Sequence, residues 1–220
     1  MKTWPPILFA CLALTALCVP QKGLAQTTEL DSLQQAADNS KDTTRIDALI
    51  ALGRKLRRTD LKRALEIQLM ASREAEAGNY LSRQAKLHND MGISYGMQED
   101  YPQAMEQLKL SMRLHAGQNN PMGIADAYNN LGIVYKYIGD YPSGLNAHLE
   151  ALKIYDQIGE ESGRAVCLLN IGVAYDLMKE PQKALEIFEQ ALKLKIALKD
   201  EPGRALVRWP LRDRAARPVP

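Results

Sequence analysis

Cysteine is nearly absent. Three occur in 220 residues, and two of them, Cys11 and Cys18, lie close to the N-terminus. A chain left with Cys167 alone forms no internal disulfide, so its stability has to come from packing. Histidine is scarce too. His88, His115 and His148 are the only three, and no pair has the i, i+4 spacing of a helical zinc site. There is no nucleophile motif and no glycine loop of the kind that cradles phosphate. These absences leave no catalytic residue, metal ligand or cofactor to nominate, and the chain reads as non-enzymatic. After Val19 no apolar run approaches the ~20 residues of a membrane-spanning helix. Concentrated basic charge is missing from the body: residues 26–202 carry a net charge of −4, and residues 203–220 carry +4. Nucleic-acid binding needs a concentrated basic surface, so no nucleic-acid partner is expected.

Residues 1–25 read as a secretory signal. Lys2 supplies a positive start, Ile7 to Val19 are an apolar run, and Pro20 ends it. Gly23-Leu24-Ala25 places small residues where signal peptidase reads, which predicts cleavage after Ala25 and an exported, periplasmic or secreted bacterial protein. The apolar run is too short for a membrane anchor. A lipoprotein would be cleaved before Cys18, where Leu17 is bulkier than the residue usually found.

What fills the rest is a repeat. YNNLGIVYKYIGDYPSGLNAHLEAL, from Tyr128 to Leu152, has an earlier copy from His88 to Met112 and a later one from Leu168 to Leu192, all at one constant interval. Gly92, Gly132 and Gly172 share one register. A glycine inside a helix costs ~1 kcal/mol relative to alanine, so three in register imply that a second helix comes close. Ala104, Gly144 and Ala184 keep the same spacing on the partner side, as do Ala71, Ser111, Ala151 and Ala191. Large residues alternate with them: Tyr95, Tyr135 and Tyr175, then Leu108, His148 and Phe188. Asp100-Tyr101-Pro102 and Asp140-Tyr141-Pro142 read as starts of second helices, with aspartate as N-cap and proline in the first turn; Glu180-Pro181 is a weaker version. Gly123, Gly163 and Gly203 read as inter-repeat turns. Cys167 aligns with Ala127 and His88 with Tyr128, which makes both packing residues.

The expected organisation is a signal over 1–25 and a polar lead over 26–43, with a short helix at Thr27 to Ala37 and a loop from Asp38 to Thr43. The array runs over 44–207, in units of about 44–82, 83–122, 123–162 and 163–202, with a fifth starting at 203. Thr44 and Asp47 read as a capping box for the first array helix. This first unit is degenerate: Gly53 lies one position nearer to Gly92 than the constant interval requires.

The LGxxY element, the GDYPxG/A turn and the small residue seven further on resemble the tetratricopeptide repeat. Units of this length resemble those of kinesin light chains and of bacterial signalling proteins. The resemblance implies an all-α fold, a right-handed α-solenoid of helical hairpins. It also implies a concave surface lined by first helices, where a peptide or protein segment docks. At 100° per residue that arc holds Asn89, Asp90, Ile93 and Met97 in one copy. It holds Asn129, Asn130, Ile133, Lys136 and Tyr137 in the next, and Asn170, Val173 and Leu177 in the third. An asparagine amide can pair with both groups of a peptide backbone. The competing reading is that these asparagines bond within the array or meet water.

Two functions follow. One is an exported protein-binding scaffold. The other is the truncated input region of a bacterial signal-transduction protein whose output is a histidine kinase, cyclase or transcriptional regulator. The register holds through Val207 and then fails: Arg212 stands where glycine is expected, and Trp209-Pro210 breaks the helix pattern. Residues 208–220 are therefore expected to be an irregular basic tail left by a frameshift or early stop, with a natural disordered tail as the alternative. An uncapped last hairpin would expose Leu192, Leu194 and Ile196 and favour self-association. Reading the gene in its other two frames after codon 207 checks this: a resumed NxLGxxY pattern is the expected result.

Overall fold

The computed structural model describes residues 21–205 and 207, with side chains from Glu29 onward. Most of the expected signal and all of the 208–220 tail lie outside the described residues. The described residues form nine helices followed by a further helical start at 201–205. They are α1 (Gln21–Asn39), α2 (Asp42–Leu56), α3 (Leu61–Ala77), α4 (Leu81–Met97), α5 (Tyr101–Gly117), α6 (Pro121–Tyr137), α7 (Tyr141–Ile158), α8 (Glu161–Leu177) and α9 (Pro181–Ala197). Each packs against its neighbours in sequence. In addition α2 touches α4, α4 touches α6, and α6 touches α8. That lateral contact makes the even-numbered helices the inner row of an α-solenoid.

The structure has a shorter period than the repeat. From α3 to α9, helices begin at Leu61, Leu81, Tyr101, Pro121, Tyr141, Glu161 and Pro181, half a sequence repeat apart. A residue with positive φ sits in each turn at the same half-repeat interval: Asn79, Glu99, Asn119, Gly139, Gly159, Lys179 and Lys199. The next residue donates its N–H to a carbonyl in the last turn of the preceding helix, as in Asp100 to Tyr95, Asp140 to Tyr135 and Glu180 to Tyr175. This is the Schellman closure of a helix C-terminus. In most of these turns that same residue also caps the following helix: Asp100, Asn120, Asp140 and Glu160 each accept a backbone N–H from the next helix's first turn, as Asp60 does in the shorter turn before α3, while the Tyr80 side chain makes no cap bond. Glu180 makes no such bond and pairs with Lys183 at 2.5 Å.

Three readings of the sequence need correction. The lead helix is longer than expected, and α2 starts at Asp42, ahead of Thr44. Thr44 is thus inside the first turn and no capping box forms; Asp47 instead pairs with Arg83 of α4 at 2.9 Å. Gly123 and Gly163 are not turn residues. They lie in the first turns of α6 and α8, where their N–H groups are held by Asn120 and Glu160.

These glycines belong to a second set of close approaches. A Cβ on Gly123 would stand 2.5 Å from the His115 ring, and one on Gly163 2.5 Å from the Tyr155 ring. Here the end of one hairpin meets the start of the next. The first set closes each hairpin. A Cβ on Gly92, Gly132 or Gly172 would stand 2.6 Å from Leu108, His148 or Phe188 respectively. All three partners are buried. Gly53 plays the same part less tightly, 3.0 Å from Gln68. At the far end, Val207 is fully buried against α8 and α9 and covers part of the last hairpin. Leu192 and Leu194 are half-buried there, and Ile196 is exposed.

Two stability changes follow. Gly132→Leu should cost a few kcal/mol in urea unfolding, because the His148 ring occupies the required space (about 1–3 kcal/mol for overpacking). Lys179→Gly should stabilise by about 0.5–1 kcal/mol, since a left-handed conformation costs about 1–2 kcal/mol for a residue with a Cβ, less about 0.4–1 kcal/mol for the greater freedom of glycine in the unfolded chain.

Candidate peptide-binding groove

The inner row carries the candidate site. Between α4, α5 and α6 lies a cleft of about 380 Å³, lined by Gly92, Ile93, Gly96, Met97, Glu99, Tyr101, Leu108, Asn130, Ile133, Val134 and Tyr137. Five residues of the expected arc converge in it: Ile93, Met97, Asn130, Ile133 and Tyr137. Met97 and Tyr137 are exposed, and Ile93, Asn130 and Ile133 are half-buried. The equivalent step between α6, α7 and α8 is closed. Only a water-sized void of about 10 Å³ remains there, beside Gly132, Ile133, Lys136, Tyr141, Gly144, His148, Asn170 and Ala174. Val173 is half-buried and Leu177 exposed on α8, outside the open cleft.

The difference traces to one register. Gly96 in α4 corresponds to Lys136 in α6. Lys136 is half-buried, lines the closed step, and sets its ammonium 4.6 Å from the centre of the Tyr137 ring. At Gly96 that side chain is missing. A Cβ there would meet its nearest neighbour, Val134, at 3.7 Å, an ordinary contact. The repeat pattern by itself does not single out Gly96. Comparing the copies at this register, one glycine against charged side chains, is the signal that finds it.

The asparagines form a lateral ladder. Asn130 of α6 donates to Asn89 Oδ1 of α4 at 3.0 Å, and Asn170 of α8 donates to Asn129 Oδ1 of α6 at 2.9 Å. Between the degenerate first unit and the second, Asp90 of α4 accepts from Arg54 at 2.6 Å and from Arg57 at 2.7 Å, both at the end of α2. Two placements on the open arc are therefore corrected. Asp90 is a buried ion-pair centre, 3% exposed. Asn129 is buried, and its Oδ1 also meets His148 Nδ1 at 3.0 Å and Cys167 Sγ at 3.6 Å. Asn129 thus ties α6 to α7 and α8 and is not available to a peptide. The helical period puts it near the arc; lateral contact with α8 turns it into core.

Burial, with the charge of Lys136, lowers the His148 pKa to about 4. Burial pushes the Cys167 thiol up to about 12, which leaves it inert. His88 Nδ1 bonds Gln107 Oε1 at 2.7 Å, and the ring is buried. Among the described residues no group of His, Cys, Asp and Glu is placed to hold a metal ion, and no helix is long and apolar enough to cross a membrane.

Comparison with known proteins agrees with this architecture. Residues 123–197 match the family model of the tetratricopeptide repeat. No curated protein matches the chain. Among solved structures, a Rap protein complexed with competence and sporulation factor has a TM-score of 0.77 at 13% identity, over 86% of this chain and 54% of that one. A signal-transduction ATPase of the STAND type with a tetratricopeptide repeat sensor, from Pyrococcus horikoshii, has a TM-score of 0.72 at 16% identity, over 85% of this chain and 29% of that one. Kinesin light chain-like repeats from a Podospora anserina protein have a TM-score of 0.64 at 14% identity, over 81% of this chain and 91% of that one. The chain spans about half of the Rap protein and under a third of the ATPase. At these identities the likeness is one of fold.

The His148 shift makes stability depend on pH. The folded state resists protonation down to about pH 4, whereas an unfolded histidine titrates near 6.5. This contribution is complete above pH ~6.5 and is lost as pH falls through that window toward 4. His115, lowered chiefly by burial, acts in the same direction. Urea unfolding of His148→Phe should lose less stability than wild type between pH 7 and pH 4, by on the order of 2 kcal/mol.

Proposed function

We propose that this tetratricopeptide-repeat array is an exported, non-enzymatic scaffold that docks an extended protein segment in its inner groove, anchored at the Gly96 cleft. The cleft carries the reading. It is the step of the inner row where a side-chain-sized space stands open, and its lining is mostly apolar with Asn130 and Glu99 at hand. Such a lining, with a few polar groups to fix orientation, suits a side chain delivered by a partner. The Asn130 amide nitrogen serves Asn89, which leaves its acceptor oxygen without a bond among the described residues. Export rests on the apolar run Ile7 to Val19 and the small residues before Gln26.

The second reading, an input region for a signal-transduction protein, is favoured by the fold's likeness to the ATPase with a tetratricopeptide repeat sensor. An output domain encoded downstream would select it.

Panning a random peptide library against the array tests the groove. Enriched peptides should lose at least about tenfold in affinity on Gly96→Leu, which fills the cleft, while the melting temperature holds or rises. Asn129→Ala, by contrast, should lower the melting temperature, because it deprives His148, Cys167 and Asn170 of their shared partner. Peptides that bind Gly96→Leu as well as wild type would move the binding surface to the outer row.

A further inference from the structure

We infer that the Gly96 cleft selects a lysine or arginine side chain from the docked segment. The inference rests on the groove reading above and goes beyond it by naming the anchor. The chain supplies its own templates. The register of Gly96 holds Arg57 at the end of α2, Lys136 in α6 and Asp176 in α8, the last complete inner helix among the described residues; the two that stand at a filled step between inner helices are Arg57 and Lys136. Both are long aliphatic stems ending in a cation, and both are drawn into the inner row: the Arg57 side chain is 13% exposed, and Lys136 is half-buried. In each step the charged head finds a partner. Arg57 ends on Asp90 of the next inner helix at 2.7 Å. Lys136 ends over the Tyr137 ring at 4.6 Å. Gly96, between them, lacks the side chain, and there the cleft opens.

The opening shares one polar position with the first filled step. Asn130 stands in α6 where Asp90 stands in α4, and it lines the cleft with its unused acceptor oxygen. Tyr101 and Tyr137 are the two aromatic residues of the lining; the Tyr137 ring already carries the Lys136 ammonium, which leaves Tyr101 as the face a further cation would meet. Glu99 is its single charged residue. A carboxylate, an amide oxygen and the Tyr101 ring around an apolar shaft favour a cation-tipped stem. They disfavour an acidic side chain, which would face Glu99. The length fits as well, because the shaft accepts at Gly96 what Lys136 fills with its own stem one step along.

The test uses fluorescein-labelled alanine-based peptides with one central lysine, norleucine or glutamate, flanked by isoleucine and leucine, and the full array. Norleucine keeps most of the lysine stem and removes the charge. The lysine peptide should bind about fivefold or more tighter than the norleucine peptide, with glutamate weakest. Glu99→Gln should reduce the lysine preference, and Gly96→Lys, which fills the cleft from within, should abolish binding. Gly96→Lys should also melt above Gly96→Glu, a comparison that needs no ligand. Equal binding of lysine and norleucine peptides would overturn the cationic anchor and leave the groove standing. Failure of all three peptides to bind, with Gly96→Glu as stable as Gly96→Lys, would overturn both.

Discussion

The array depends on a missing atom. Wherever two helices of a hairpin cross, the inner helix lacks a Cβ, and the outer helix sends a large side chain into the space. Gly92 receives Leu108, Gly132 receives His148, and Gly172 receives Phe188, each 2.6 Å from where a Cβ would be. The second crossing, between hairpins, repeats the device with Gly123 under His115 and Gly163 under Tyr155. Glycine weakens a helix locally, but here it fixes the distance at which the next helix packs. Close packing leaves no slack at such points, so the paired glycines set the pitch of the solenoid. The side chain over the glycine is free to vary in chemistry so long as it fills the space. This is how a histidine comes to be buried at the position that Leu108 and Phe188 fill in the other copies.

That latitude has a second outcome in the inner row. The first step is filled by arginines on Asp90, the third by Lys136, and the middle one is left open at Gly96. One backbone geometry thus carries three different surfaces. The polar ladder beneath them is equally varied: an ion pair between α2 and α4, then Asn130 on Asn89, then Asn170 on Asn129. Each rung joins an inner helix to the next one along, and each satisfies polar groups that burial would otherwise strand.

The hairpin fold is legible in the chain because glycine, proline and aromatic residues recur at fixed spacing and carry a packing reason. The face of each inner helix is legible too: Ile93, Met97, Ile133 and Tyr137 follow from the helical angle once the resemblance to the tetratricopeptide repeat says which arc is concave. Angle cannot say what lies beside a helix. Asn129 and Asp90 fall near the arc, and only the neighbouring inner helix, absent from any single-helix projection, turns them inward. The half-repeat frame is hidden for another reason. A left-handed turn residue is recognisable when it is Gly139 or Gly159, and not when it is Glu99, Lys179 or Lys199. Backbone closure holds those residues in place without a sequence mark.

The ladder also gives the array a mechanical asymmetry. Its rungs join the inner helices side by side, and no such lateral link of comparable extent joins the outer helices among the described residues. Pulled at its two ends, a coil built this way resists lengthening along its inner seam and yields along its outer edge. A load on such a build would fan the outer row before it parted the inner helices. A segment lying along the groove would then meet a ruler of nearly constant spacing while the outer row opened around it.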